Sequence, residues 1–262
     1  MPFVSLDLLD KPTQMLVDGD GPAVVLLHGS ADSPGAWLGV TLQLRGVRSV
    51  FAPALPPQVA AKALDSDLPW LDALMAHTGA RVLAGHSYGA LLALRWALAH
   101  PGALDRLILC EPIAWGIARQ DPKTALRLAE LDAECLARFV HGDTLAGMEW
   151  LVDYWNGDGF WARLPEKVRA ALLAGFSRTW AEVACGSADR TNPQELSTLA
   201  TPTWLLAGAQ STPESLKVAH LLAQAIPDAQ LQVLQGAGHQ FLRSHAAQVV
   251  AAILGVSPVQ SP

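Results

Sequence analysis

Gly85-His86-Ser87-Tyr88-Gly89 is the most informative segment of this chain. It follows an apolar run at residues 80–84 and leads into a helix-favouring run at residues 90–99. A Gly-x-Ser-x-Gly turn between a strand and a helix strains the serine backbone, and a Cβ at either glycine would collide with neighbouring elements. The strain lifts the serine oxygen clear of the sheet. The pattern therefore predicts that Ser87 is a nucleophile in a nucleophile elbow, although a serine in a surface turn can also simply cap a helix.

Apolar runs alternate with helical runs on both sides of this turn. Strands are predicted at residues 3–9, 14–17, 23–27, 48–52, 82–84, 104–110, 202–208 and 231–234. Helices are predicted at residues 37–44, 57–77 (interrupted by Pro69), 90–100, 215–225 and 245–254. This alternation predicts an α/β fold in which helices cover both faces of a mostly parallel sheet.

The alternation stops between the sixth and seventh predicted strands. Proline, asparagine and glycine signals predict helices over residues 121–141, 143–156 and 164–184, with a short capping box at 192–195. We therefore expect a core made of residues 1–112 and 201–262, with a helical cap inserted at residues 113–200. The proline-rich tail at 256–262 is expected to be frayed.

Composition limits the possible partners. The 262 residues are 51% hydrophobic, carry a formal charge of −6 and show no run of Lys and Arg, which argues against a nucleic-acid surface. No signal peptide or membrane-spanning run is evident. Three widely spaced cysteines (Cys110, Cys135 and Cys185) predict free buried thiols rather than a disulfide framework or a metal site. The expectation is a soluble cytoplasmic protein that acts on a small molecule without cofactor or metal; the sequence predicts no oligomeric state.

Serine needs a positioned base to act as a nucleophile at neutral pH. His239 is the best of the eight histidines, because Gly236-Ala237-Gly238 allows a sharp turn directly after the last predicted strand. A tetrahedral intermediate also needs two donors for its oxyanion. The backbone N–H of Tyr88 is one candidate. The other is the N–H of Ser30, in the loop that begins with His28-Gly29, with Ala31 as the alternative.

In this order, the His28-Gly29 loop, the serine elbow and the Gly236–His239 turn resemble the α/β-hydrolase family. The resemblance covers nearly the whole chain. It implies an eight-stranded, mostly parallel sheet with a helical cap, an oxyanion hole, and a catalytic triad of serine, histidine and an acid without metal. Ser87 excludes the relatives that use Asp as nucleophile.

The acid of the implied triad departs from the commonest family pattern. Family members usually place Asp a few residues beyond the strand predicted at 202–208, but this chain has no carboxylate there until Glu214. Glu111 ends the apolar strand at 104–110 and is followed by a proline, and some family members carry their acid after that strand. Glu111 is therefore the preferred acid and Glu214 the alternative, with a weakened dyad as a third possibility.

Five of the nine tryptophans lie in the predicted cap: Trp115, Trp150, Trp155, Trp161 and Trp180. Most are expected to join cap helices, and Trp115 and Trp155 are the candidates for contact with substrate. The leading hypothesis is a serine esterase that cleaves a carboxylic ester, thioester or lactone of a largely apolar substrate through an acyl-enzyme. Two alternatives are a hydrolase of a C–C bond in a diketone-like metabolite and a non-catalytic, hydrolase-like receptor.

Overall fold

The computed structural model describes residues 3–56, 64–140 and 142–256. One eight-stranded sheet crosses them in the order β1-β2-β4-β3-β5-β6-β7-β8. The strands are β1 (Phe3–Leu8), β2 (Lys11–Asp18), β3 (Ala23–Leu27), β4 (Ser49–Pro53), β5 (Val82–His86), β6 (Arg106–Cys110), β7 (Thr203–Gly208) and β8 (Ala229–Leu234). The β1–β2 and β2–β4 pairs are antiparallel, and all other neighbouring pairs are parallel. The predicted α/β fold with a mostly parallel sheet is confirmed.

Helices occupy most of the rest of the described chain. They are α1 (Leu38–Leu44), α2 (Leu68–Thr78), α3 (Tyr88–Ala99), α4 (Trp115–Ala118), α5 (Pro122–Val140), α6 (Thr144–Asn156), α7 (Phe160–Arg163), α8 (Glu166–Ala174), α9 (Phe176–Ala188), α10 (Pro193–Leu196), α11 (Pro213–Ala225) and α12 (Ala246–Leu254). Apolar residues of α2, α3 and α11 pack on one face of the sheet, and those of α1 and α12 pack on the other.

The central strands are apolar on both faces because both faces are covered. Leu107 and Leu109 of β6 join the core on the side of α3, whereas Ile108 joins the core on the side of α12. Successive side chains of a strand point to opposite faces, so a strand buried on both sides is a continuous apolar run. These strands form a rigid platform for the residues that follow their ends.

The turn between β5 and α3 depends on its two glycines. A Cβ built on Gly85 would overlap the carbonyl of Gly89, and one built on Gly89 would overlap the carbonyl oxygen of His28. Both obstacles are backbone atoms, which cannot move aside as a flexible side chain can. The two glycines therefore allow the helix to begin directly against the strand, as the sequence pattern predicts.

Between β6 and β7, every element in the described residues is a helix, from α4 to α10. N-caps are present at both positions: Asp143 accepts a hydrogen bond from the N–H of Ala146 at 2.9 Å, and Asn192 accepts one from the N–H of Glu195 at 3.0 Å. The Glu195 side chain accepts from Arg95, so only the Asn192 half of the predicted capping box is seen. The single helix predicted at 164–184 is wrong, because α8 ends and α9 begins at Gly175. Glycine is a poor helix former, and here it separates two helices rather than lying within one.

A second correction concerns the helix predicted at 57–77. Pro69 does not interrupt it, because α2 begins at Leu68 and the proline lies in the first turn, where its missing N–H costs no hydrogen bond. Residues 57–63 of that prediction lie outside the described residues, as does the predicted frayed tail beyond Val256. No helix in the described ranges combines the length and apolar character needed to cross a bilayer.

Candidate active site

The predicted site residues lie at one edge of the sheet. Five parallel strands (β3, β5, β6, β7 and β8) end at this edge. His28, Ser87 and Glu111 directly follow β3, β5 and β6, and His239 lies in the loop after β8. Open α/β sheets bind their ligands outside the carboxyl ends of the strands. This edge of the sheet is therefore the candidate active site.

Ser87 occupies a strained backbone conformation. Its φ is 54° and its ψ is −116°, which residues with a Cβ adopt only where the surroundings hold them. Its N–H donates to the carbonyl of Cys110 at 2.9 Å, and its own carbonyl accepts from the first turn of α3. The side chain lines a cavity of about 70 Å³ that His239 also lines. The elbow thus presents its hydroxyl to the same space as the imidazole.

His239 and Glu111 form a buried pair. The Nδ1 atom of His239 lies 2.6 Å from Oε2 of Glu111, and the two side chains are 3% and 0% exposed. Since a carboxylate only accepts hydrogen bonds, Nδ1 carries the donated proton. Nε2 is then the nitrogen available to Ser87. Glu111 itself has a positive φ of 48°, so the chain is strained at the acid as well as at the serine.

Three donors hold the Glu111 carboxylate. Besides His239, the N–H of Gly208 donates to Oε1 at 2.7 Å, and the hydroxyl of Ser211 donates to the same oxygen. Burial alone would raise the pKa of Glu111, but the hydrogen bond and charge of His239, with those two donors, outweigh burial and lower the pKa below its usual value. The loop after β7, where other family members are expected to carry the acid, here supplies donors to an acid from β6.

Glu214 is placed elsewhere. It lies in the first turn of α11, and its Oε2 accepts a hydrogen bond from the Tyr154 hydroxyl at 3.2 Å. Its Oε1 lies 3.7 Å from Nε of Arg127. The structure therefore brings Glu111 to the His239 ring, and it engages Glu214 with side chains of α5 and α6.

His86, inside the elbow, has a contact that the sequence did not predict. Its Nε2 lies 2.8 Å from the backbone carbonyl of His239, and because a carbonyl only accepts, Nε2–H is the donor. The two rings lie 4.8 Å apart at an angle of 44°. His86 thus ties the loop of His239 to the elbow of Ser87. The only sequence signal for this role was a histidine beside the serine.

The loop after β3 reaches the serine because it carries glycine. A Cβ on Gly29 would lie 2.8 Å from Nδ1 of His86 and 3.0 Å from the Cβ of Ser87. His28 fixes the loop: its Nδ1–H donates to the carbonyl of Gly29 at 2.8 Å, and its Nε2 accepts from the N–H of Leu55 at 3.2 Å. Ser30 follows and lines the cavity with Ser87.

Tyr88 is the first residue of α3, so its N–H lies at the N-terminus of that helix. The helix dipole favours negative charge at the same point. The N–H groups of Tyr88 and Ser30 belong to the two segments that adjoin the Ser87 side chain. These two N–H groups therefore remain the candidate donors for an oxyanion at Ser87.

Trp115 and Trp155, the two candidates for contact with substrate, both line the Ser87 cavity. Their rings lie nearly parallel, 6.0 Å apart at 11°. They also line a second, larger cavity of about 260 Å³ within the helical insertion. Its wall is mainly apolar and aromatic, and includes Leu131, Trp150 and Tyr154. The two cavities therefore adjoin each other, and Trp115 and Trp155 line both.

Acid should destabilise the protein through two buried histidines of this site. Burial lowers the pKa of His28 to about 3, and burial with the neighbouring His239 lowers that of His86 to about 3. Both are neutral in the folded protein, whereas the unfolded chain protonates them below about pH 6.5. The unfolded state binds more protons in this window, so the free energy of unfolding should fall by about 1.4 kcal/mol per pH unit for each histidine as pH drops from about 6.5 to 3.

Urea unfolding between about pH 7 and pH 5 measures this slope. His28→Gln, which keeps a donor and an acceptor but does not titrate, should reduce the slope by about 1.4 kcal/mol per pH unit. His77 is exposed, so His77→Gln is the matched control and should leave the slope as it is. A wild-type slope in His28→Gln would mean that folded His28 does titrate in this range.

The arrangement can perform nucleophilic acyl chemistry. The Ser87 hydroxyl and the His239 imidazole line one cavity, and the imidazole contacts a buried carboxylate, which is the set of groups that a serine triad uses. In the described part of the chain, no group of three or more His, Cys, Asp or Glu side chains could hold a metal ion.

Comparison with known proteins agrees with this fold. The model of the alpha/beta hydrolase family matches residues 24–253. The chain is 28% identical over 233 residues to a pimeloyl-[acyl-carrier protein] methyl ester esterase of Aromatoleum aromaticum, covering 86% of this chain and 93% of that protein. Among solved structures, a bromoperoxidase from Bacillus anthracis superposes with a TM-score of 0.75 and 17% identity, covering 97% and 98% of the two chains. The enol-lactonase from Burkholderia xenovorans LB400 gives a TM-score of 0.71 and 17% identity over 96% and 98%.

These structural neighbours share the fold at low sequence identity. The family model extends from β3 to α12 and so includes the elbow, the acid-bearing strand and the His239 loop. The predicted resemblance is thereby confirmed. This chain belongs to the α/β-hydrolase family.

Proposed function

We propose that this protein is a serine hydrolase that cleaves a carboxylic ester through an acyl-enzyme. Ser87 is the nucleophile, His239 the general base and Glu111 the acid of the triad. One observation carries the proposal: the ring of His239 lies 2.6 Å from a buried carboxylate while facing the cavity of a strained serine. The esterase and lactonase named among the similar proteins agree with this reaction class.

The reaction proceeds in two halves. Ser87 Oγ attacks the carbonyl carbon as its proton passes to Nε2 of His239, and the carbonyl oxygen becomes an oxyanion. The N–H groups of Tyr88 and Ser30 bind that oxyanion, each contributing about 3 kcal/mol in comparable sites. The tetrahedral intermediate then collapses, and His239 gives the proton to the departing alkoxide.

Water completes the cycle. His239 takes a proton from water, the hydroxide attacks the acyl carbon, and Ser87 leaves with the proton returned by His239. In both halves of the reaction Glu111 stays ionised. It keeps the proton of neutral His239 on Nδ1, and it stabilises the His239 imidazolium when that forms. The lowered pKa of Glu111 suits this role, since the carboxylate must not take the proton itself.

The helical insertion acts in this proposal as a cap that supplies the substrate pocket. The cavity of about 260 Å³ behind Trp115 and Trp155 is large enough for an apolar acyl group of several carbons or an aromatic ring. Its largely aromatic wall favours an apolar occupant, so we assign it to the acyl part of the ester.

A panel of nitrophenyl esters with acyl chains of increasing length tests the function. kcat/KM should rise about fourfold per methylene until the cavity is full and then fall, because each buried methylene contributes about 0.8 kcal/mol. A diketone with a scissile C–C bond, assayed beside the esters, tests the alternative chemistry of the same triad. If only the diketone is turned over, C–C bond hydrolysis replaces ester hydrolysis as the assigned reaction. If neither substrate is turned over and a fluorophosphonate does not label the protein, the protein is a non-catalytic receptor.

A further inference from the structure

The indole of Trp155 lies on the face of the His239 ring. The two ring centroids are 4.1 Å apart and the planes are 23° from parallel. Trp155 is the penultimate residue of α6, so the contact joins the helical insertion to the loop after β8. Two further aromatic rings lie next to this indole: Trp115 is nearly parallel to it at 6.0 Å, and Tyr154 meets it edge-on at 4.9 Å.

Other charged or titratable groups also face His239. Glu111 bonds to Nδ1, and His86 lies beside the ring as a neutral imidazole. Asp32, from the loop after β3, interacts with His239 through its charge and has Arg243 at 3.9 Å. His86 is the last residue of β5, and the other three lie in loops that follow strands of the core. Replacing Trp155 leaves each of these side chains in place, so it isolates the contribution of the indole.

We propose that Trp155 is a positioning residue of the reaction, whose indole face stabilises the imidazolium that forms when His239 takes the serine proton. This inference rests on the proposed function. The face of an aromatic ring carries negative potential and attracts a cation within about 6 Å, most strongly for Trp and when water is excluded. The attraction acts on the protonated ring and hardly on the neutral one, so it grows as the transition state forms.

The proposal differs from a role in substrate binding alone. Trp115 lines the same two cavities as Trp155 and matches it in chemistry, but it stacks on Trp155 rather than on His239. Loss of either ring should weaken substrate binding. Only loss of Trp155 should change the stability of the protonated His239 ring. Substitution of Trp115 is therefore the matched control.

The pH dependence of kcat/KM for a nitrophenyl ester separates the two roles, because it reports titration of the free enzyme. The midpoint of its acidic limb should move to lower pH by about 0.5 to 1.5 units in Trp155→Leu and by less in Trp155→Phe. kcat should fall about 3- to 30-fold, with the larger loss in Trp155→Leu and the smaller loss in Trp155→Phe. Trp115→Leu should raise KM and keep the wild-type midpoint. Equal midpoints in all four proteins would overturn the proposal.

Fluorescence gives a readout that needs no activity. Protonated imidazole quenches a stacked indole, so the emission of wild type minus that of Trp155→Phe should fall as pH drops through the titration of His239. His239→Gln should abolish that change. A difference that stays flat with pH in the wild type would overturn the proposal even if the leucine variant fails to fold. The protein could also show this pH-dependent change in fluorescence without turning over any ester. That result would contradict the proposed function but would still support the interaction of Trp155 with protonated His239.

Discussion

Ser87→Ala should lower kcat/KM for a nitrophenyl ester by about 10⁵- to 10⁶-fold, the scale seen when a triad serine is removed. The reason is that no covalent intermediate can form without the hydroxyl, which leaves only the oxyanion donors and substrate binding. The substitution removes only one oxygen atom, so the variant should fold, and circular dichroism with thermal unfolding checks this. Initial rates at several ester concentrations measure the loss.

A serine outside the site controls for the substitution itself. Ser197 is exposed beyond α10, and Ser197→Ala should keep kcat/KM within about twofold of wild type, as expected for a surface change away from the site. An alanine at position 87 that retained a tenth or more of the wild-type rate would show that another group attacks the substrate.

Glu111→Gln should reduce kcat about 10³- to 10⁴-fold, the second largest effect. The amide keeps the size of the carboxyl group but carries no charge, and it can turn its NH₂ group toward His239. The imidazolium then loses its counter-charge, and the ring no longer holds its proton on Nδ1. Steady-state kinetics at neutral pH measure the effect, and KM should change much less than kcat.

Glu214→Gln is the matched control for the acid, since it changes the other candidate glutamate in the same way. The Glu214 carboxylate contacts Tyr154 and Arg127, so turnover should stay within about threefold of wild type. If Glu214→Gln were the more damaging change, the acid would be misassigned and the contact between Glu111 and His239 would be structural only.

The strand-turn-helix core was predictable because its rules are local. The glycines at positions 85 and 89 and the apolar run before them specify the turn without knowledge of distant residues. Glu111 could also be chosen from the sequence, as a carboxylate at the end of a buried strand. The choice over Glu214 stays a prediction. The geometry that favours it depends on strand order, because β6 lies between β5 and β7 and so reaches both the elbow and the loop of Ser211.

Contacts made by the helical insertion were not predictable. Apolar periodicity indicates which side chains of α6 are buried, but it does not indicate which residues they contact. The sequence therefore could not predict that Trp155 stacks on His239. The helix break at Gly175 was missed for a related reason. A single glycine within a helical pattern is often tolerated, and only packing of α8 and α9 against different neighbours makes it a break.

The site of covalent attachment tests the central claim most directly. After reaction with a fluorophosphonate, the protein is digested and the peptide that contains residues 82–95 is sequenced by tandem mass spectrometry. We predict one phosphonyl group, on Ser87, whose formation slows at least about 10³-fold in Glu111→Gln. An unmodified Ser87, or a label on any other residue, would contradict the mechanism.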